Sequence, residues 1–233
     1  MFIALIVAAG TGERMNSIIP KQFLPVLGKP VLAYTIDAFE KSPLIDEIIV
    51  VINENHEKQF QEQILNHIQT KKVLHYVFGG GTRQDSVYAG LELIFNRPDD
   101  YVLIHDGVRP LVSEEILMRS VEGVMKYGAV CCAIPSVDTL KISKNNNYID
   151  STLDRSVVWR AQTPQSFKIS IIWEAIQKAK VDGFYATDDS AMVERIGIPV
   201  YLVLGSEENY KITTPQDFIR AEDNLRWLKS CPA

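Results

Sequence analysis

The chain has 233 residues, 46% of them hydrophobic, which is enough to bury the core of one α/β domain over residues 1–233. A net charge of −5, from 24 Lys and Arg against 29 Asp and Glu, excludes a general nucleic-acid coat, so a phosphate site must gather its cations locally. Three cysteines give neither a disulfide framework nor a metal-ligand spacing, and the first apolar run lacks a cationic leader and is too short to span a bilayer. The expectation is a cytoplasmic protein with no nucleic-acid and no membrane partner, in which Cys131 and Cys132 are core and near-core thiols.

In chain order, the apolar run at residues 3–9 reads as a buried parallel strand, because neither face alternates with polar side chains. It breaks at Gly10-Thr11-Gly12. Glycines directly after a strand let the backbone turn tightly and approach a ligand, with amide N–H groups free for phosphate oxygens or a base. Arg14 and Lys21 follow, and Pro20 fixes the backbone just before Lys21. A glycine loop carrying two cations suits a polyphosphate whose negative charge grows during reaction. A dinucleotide fingerprint fails for want of the third glycine, and no Gly-Lys-Ser/Thr follows to make a Walker loop.

Residues 30–41 read as a helix opened by proline, 47–52 as an apolar strand, 54–69 as a polar outer helix, and 73–78 as a third strand ending in Gly79-Gly80-Gly81. A helix at 84–95 precedes a strand at 101–104 that runs into His105-Asp106; Ser113 opens another helix, followed by a strand at 129–134. This alternation predicts a doubly wound, mostly parallel, Rossmann-like α/β sheet with ligands beyond the carboxyl ends of its strands. Residues 137–160 interrupt the pattern and read as a polar β-hairpin too poor in apolar residues to pack on itself, either a solvated excursion or an arm for a second subunit. Helices and strands resume from Ile169: Thr187-Asp188-Asp189 heads a helix, 199–204 is a strand, and Thr214-Pro215 opens a last helix to Lys229.

Ala8-Ala9-Gly10 through Arg14-Met15, followed by Pro20-Lys21-Gln22-Phe23-Leu24, resembles the nucleotidyltransferases that activate sugar or polyol phosphates. Within them it is most similar to the 2-C-methyl-D-erythritol 4-phosphate cytidylyltransferase family of non-mevalonate isoprenoid biosynthesis, in five separated motifs from Ala8 to Thr214. The resemblance implies attack of a polyol monophosphate, 2-C-methyl-D-erythritol 4-phosphate, on the α-phosphorus of CTP, with Mg²⁺ as cofactor and pyrophosphate released. The nucleophile is already an anion, so the need is for charge compensation and in-line positioning rather than for a Ser, Cys or general base.

By that likeness Arg14 and Lys21 stabilise the transition state, and residues 79–87 contact cytosine through Gly80, Gly81 and Ser86. Ala8, Ala9, Gly10, Gly12, Asp106 and Gly107 complete the nucleotide site. Asp106, at a strand end, suits a Mg²⁺ ligand or a partner for a ribose or substrate hydroxyl, and Arg109 is expected to reach the second substrate. Some members carry an acidic residue where Gly81 stands, and usually Ala where Gly107 stands. Arg155 and Lys211 match positions that place the substrate phosphate, and Thr139, Thr163 and Thr187 match residues that bind the polyol phosphate. The likeness also favours a homodimer that exchanges the hairpin arm, which would put Thr139 and Arg155 in the partner's site.

From the residues alone, Arg155 and Lys211 are ordinary surface cations and His105 a structural histidine, and the alternative to a base-contacting loop at 79–87 is a flexible loop with Arg83 and Asp85 as a local ion pair. A D-ribitol 5-phosphate cytidylyltransferase shares the fold and chemistry, but Ala8-Ala9-Gly10, Trp159 ahead of Ala161-Gln162-Thr163-Pro164, and Thr187-Asp188-Asp189-Ser190 lean against it. A non-catalytic nucleotide-binding subunit predicts loss of Arg14, Lys21 or Lys211, and all three are present. A Rossmann dehydrogenase needs an acidic residue ending the second strand, where Asn53 stands.

Overall fold

The computed structural model describes residues 1–10, 19–68, 71–145 and 147–230. Their centre is a seven-stranded sheet. Its strands are β1 (Phe2–Ala8), β2 (Glu47–Ile52), β3 (Val73–Phe78), β4 (Tyr101–Asp106), β5 (Ala129–Pro135), β6 (Trp159–Lys168) and β7 (Tyr201–Leu204), in the spatial order β7-β5-β6-β4-β1-β2-β3. The helices are α1 (Val31–Lys41), α2 (Arg83–Leu91), α3 (Glu114–Tyr127), α4 (Ile169–Val181), α5 (Asp189–Arg195) and α6 (Pro215–Ser230).

Continuous apolar runs form these strands because both faces of the sheet are covered. Ala4, Ile6, Ile48, Val50 and Leu103 pack under α1 and α3, while Ile3, Leu5, Ile49, Val51, Val102 and Ile104 pack under α2, α4 and α5. Register is fixed by that alternation: Leu5 lies between Ile49 on β2 and Ile104 on β4, all three on one face. Cys131 and Cys132 are both buried and fall on opposite faces as expected; burial pushes their thiols up to about 11 and about 12. The last helix buries Ala221 and Leu225 against Val26, Val31, Val108 and Ile212. Among the described residues no helix is long and apolar enough to cross a membrane.

Two segments depart from expectation. Residues 54–67 form a succession of short 3-10, α and π turns rather than one helix. Side-chain amides compete there for backbone partners, as where Asn66 Nδ2 donates to Glu62 O at 2.7 Å. The second departure is β6, a ten-residue strand antiparallel to both β4 and β5. Its sequence is polar and holds Pro164, but the register slips between Ala161 and Gln165, which accommodates a residue with no N–H to give.

The hairpin at 137–160 is present as a short antiparallel pairing of Lys141–Ile142 with Ser151–Thr152. It stands away from the core, with Tyr148 78% and Val157 75% exposed.

Glycine at position 90 is a packing requirement. A Cβ there would lie 2.3 Å from Leu5 Cδ1, inside a fully buried contact between α2 and β1. Gly90→Val is expected to destabilise the protein by about 1–3 kcal/mol in urea unfolding, the usual scale for overpacking. An unchanged unfolding midpoint would contradict this packing.

Candidate active site

The carboxyl ends of β1, β2, β3 and β4 open on one cleft of about 550 Å³. Ala8, Ala9, Gly10, Lys21, Gly80, Gly81, Ser86, Asp106 and Lys211 all line it, so most of the expected nucleotide residues are brought together. Arg14 and Gly12 lie outside the described residues.

Local hydrogen bonds shape the first wall. Buried Gln22 donates through Nε2 to Ala8 O (2.9 Å) and Gly10 O (2.8 Å), clamping the start of the glycine loop. Lys21 Nζ donates to Ile212 O at 2.9 Å, which seats it beside Lys211 although 191 positions separate Lys21 from Ile212. The second wall is the turn into α2. A Cβ on Gly79 would lie 2.5 Å from Ser86 Oγ and 2.6 Å from Ala9 Cβ, and one on Gly80 would lie 2.4 Å from Asp85 Cβ, so both positions admit only glycine without a shift. Gly81 faces open space, leaving room for a side chain there. Ser86 Oγ donates to Thr82 O at 2.9 Å, so what it offers the cleft is an acceptor lone pair. Asp85 belongs to a capping box with Thr82, not to Arg83.

Asp106 ends β4 at the base of the cleft and is nearly buried. Three cations converge on it: Arg83 Nε at 3.3 Å on Oδ1, with Arg109 Nε and Lys211 Nζ each at 3.1 Å on Oδ2. Burial would raise its pKa, but the charges of Arg83, Lys211 and Arg109 outweigh this and hold the carboxyl well below the usual carboxylate range. Arg83 is itself clamped: its Nη1 and Nη2 donate to the two oxygens of fully buried Asp189 at 2.9 and 2.7 Å. Burial opposes that guanidinium's charge, and Asp189 and Asp106 restore it and raise its pKa.

Behind the carboxylate, the backbone N–H of Asp106 donates to Thr163 Oγ1 at 3.1 Å. The Thr163 hydroxyl donates to His105 Nδ1 (3.0 Å), and His105 Nε2–H donates to Arg109 O (3.1 Å). Burial pushes the His105 pKa down to about 4, so the ring is a neutral strut. The structural reading of His105 therefore holds.

A second cavity of about 310 Å³ adjoins the first, lined by Arg109, Gln162, Thr163, Gln165, Thr187 and Asp188. Arg83, Asp106 and Lys211 line both. Thr139 and Arg155 line neither; Arg155 donates to Val137 O at 3.3 Å inside the hairpin segment. Gly107 also stands outside both cavities. Its N–H donates to Val7 O, its carbonyl accepts from Thr35 Oγ1, and a Cβ would lie 3.0 Å from Ala8 Cβ, so it packs beneath Ala8.

Asp106 does not fit a Mg²⁺ ligand. A divalent cation brought to that carboxylate would be set against the three cations already on it, and among the described residues no three His, Cys, Asp or Glu side chains cluster to hold a metal. Contacts not anticipated from the sequence are the fork of Arg83 on Asp189, the clamp made by Gln22, and buried Asn209, which links Arg109 to Thr163 through its carbonyl (2.7 Å) and Nδ2 (2.8 Å). Arg83 and Asp189 stand 106 positions apart, so nothing in local spacing announces them.

The family described as IspD, 2-C-methyl-D-erythritol 4-phosphate cytidylyltransferase, matches residues 2–227. The enzyme of that name from Syntrophus aciditrophicus is 45% identical over 224 residues, covering 96% of this chain and 95% of that one. Its counterpart from Caldanaerobacter subterraneus is 44% identical over 223 residues, covering 96% and 98%. The crystal structure of 4-diphosphocytidyl-2C-methyl-D-erythritol synthase from Anaerococcus prevotii matches with a TM-score of 0.83 at 36% identity, covering 97% of this chain and 96% of that one. With a glycine-loop cleft and an adjoining cavity sharing Lys211 and Asp106, and with this likeness over nearly its whole length, the chain belongs to the 2-C-methyl-D-erythritol 4-phosphate cytidylyltransferase family.

Proposed function

We propose that this chain joins CTP to 2-C-methyl-D-erythritol 4-phosphate. A phosphate oxygen of the polyol attacks the α-phosphorus of CTP, and the bond from that phosphorus to the bridging oxygen of the β-phosphate breaks. Pyrophosphate leaves with the electron pair, and 4-diphosphocytidyl-2-C-methyl-D-erythritol remains. The observation that carries this reading is the pair of adjoining cavities meeting at Lys211 and Asp106, in a chain of this family. A nucleotide in the larger cavity and an anionic polyol in the smaller would meet beside Lys211, where two negative reactants most need a cation.

In this reading Ala8, Ala9, Gly10 and Gly12 cradle the triphosphate, and Arg14 and Lys21 offset the charge that grows on it. Cytosine lies against Gly80 and Gly81, with the Ser86 acceptor toward its exocyclic amine, a donor that uracil lacks. Asp106 accepts from a ribose hydroxyl through Oδ1, which carries Arg83 and keeps an acceptor lobe, while Gly107 supports Ala8 from beneath. Arg109, Thr163 and Thr187 bind the polyol phosphate. Thr139 and Arg155 reach the site of a second copy through the exposed hairpin, giving a homodimer with shared sites. No side chain is assigned to Mg²⁺ in this reading; bound with CTP, the ion would supply further compensation of the triphosphate charge. The buried free thiols Cys131 and Cys132 suit the cytoplasm, where CTP is supplied.

The direct test is pyrophosphate release from CTP and Mg²⁺ with either 2-C-methyl-D-erythritol 4-phosphate or D-ribitol 5-phosphate. Release with the first alone is expected; release with the second alone, or with neither in folded protein, contradicts the proposal. Lys21→Ala and Lys211→Ala should each lower kcat/KM by about 10²–10³, equivalent to roughly 2.7–4 kcal/mol of lost transition-state stabilisation. Parental kcat/KM in a folded variant would remove that residue from the mechanism. Sharing of sites is checked by mixing Lys21→Ala and Arg155→Ala protomers after exchange. Each variant alone is expected to be inactive, and the mixture to regain about a quarter of parental activity, because one site in each mixed dimer is free of both lesions. A mixture as inactive as its components would place both residues in one chain's site.

A further inference from the structure

Arg83 lines both cavities, yet each of its three guanidinium nitrogens is already bonded to a carboxylate. Two of its nitrogens hold Asp189 in a fork and the third points to Asp106. Its side chain is 30% exposed, whereas that of Asp189 is fully buried, so the fork is anchored from within the core. Arg83 is the first residue of α2, directly after the glycine turn of the nucleotide cleft. Asp189 is the first residue of α5, directly after Thr187 and Asp188 of the smaller cavity. One guanidinium thus ties the nucleotide wall, the polyol wall and the carboxylate between them.

Resting on the function proposed above, we infer that Arg83 is a positioning residue for the transfer reaction: held by Asp189, it fixes the Asp106 carboxylate where the two substrate cavities meet. The chemistry requires a planar fork. The Asp189 clamp sets the guanidinium plane, and the plane sets the direction of the Nε–H bond to Oδ1 of Asp106. A lysine would keep the charge, but as a point charge on a flexible stem it cannot hold one carboxylate in two bonds and aim a third at another. Arg109 and Lys211 approach the other oxygen of Asp106, so without Arg83 the carboxylate would keep its neutralisation on one side and lose its orientation on the other.

The test is a double-mutant cycle on kcat/KM for cytidylyl transfer, using Arg83→Lys, Asp106→Asn and the pair, with Asp189→Asn as a second route to a loosened clamp. Thermal unfolding of each variant confirms that the protein compared is folded. In the parental background Arg83→Lys and Asp189→Asn are each expected to lower kcat/KM by about tenfold to a hundredfold, the scale for misplacing a reacting group by an ångström. In the Asp106→Asn background the same changes should cost less than about threefold, because the group they position is gone. A merely structural role would lower kcat/KM by the same factor in both backgrounds, and that result overturns the inference, as does parental kcat/KM in Arg83→Lys. If Arg83→Lys does not fold, Asp189→Asn carries the same cycle. Parental protein without transfer activity would fail the proposed function itself, whereas an active parent with an additive cycle fails only the role of Arg83.

Discussion

The site depends on one carboxylate held among three cations. Asp106 is buried at the end of a central strand, where an ionised group without partners would be strongly disfavoured. Its three partners arrive from different parts of the chain: Arg83 from α2, Arg109 from the turn after β4, and Lys211 from the segment before α6. Satisfying this one group therefore draws three separate segments to the same point. The contacts continue outward, with Ile212 N–H donating to Val108 O and Lys21 Nζ to Ile212 O, so Lys21 is tied to the same hub.

The sheet supplies the place for this hub. β1 sits between β4 and β2, and the strand order reverses around it, which opens a crevice at the carboxyl ends of these strands. The antiparallel strand β6 adds what a parallel strand does not. It enters the sheet from the site end, so its first half brings Gln162 and Thr163 alongside His105 and Asp106. The chain from Asp106 N–H through Thr163 and the neutral His105 ring to Arg109 O then fixes the backbone behind the carboxylate.

What was legible in the sequence was what local pattern encodes. Strand β2 was plain in Glu47–Ile52, because both of its faces are covered and all six residues are buried. The run Gly79-Gly80-Gly81 was legible as a loop after a strand, but the packing of glycines 79 and 80 against Ser86, Ala9 and Asp85 was not. Strand β6 was not legible, since Gln162, Thr163 and Gln165 are polar residues whose burial depends on partners elsewhere, Ser206, His105 and Asp188. The partner of Arg83 was not legible for the same reason. Asp85 was near in sequence, and Asp189 became its partner only when α2 and α5 were placed together. The place of Asp106 at a strand end was legible, but the crowd of cations that disfavours a metal there arises from tertiary structure.

A cleft floored by cations, with a substrate that brings its own anionic nucleophile, calls for a single displacement at phosphorus. The stereochemical course at the α-phosphorus measures this most directly, using CTP made chiral there by sulfur substitution and reading the configuration of the product. Direct attack by the polyol phosphate predicts inversion. Retention would mean two displacements through a nucleophile on the protein, and would contradict a site that works by charge compensation and positioning alone.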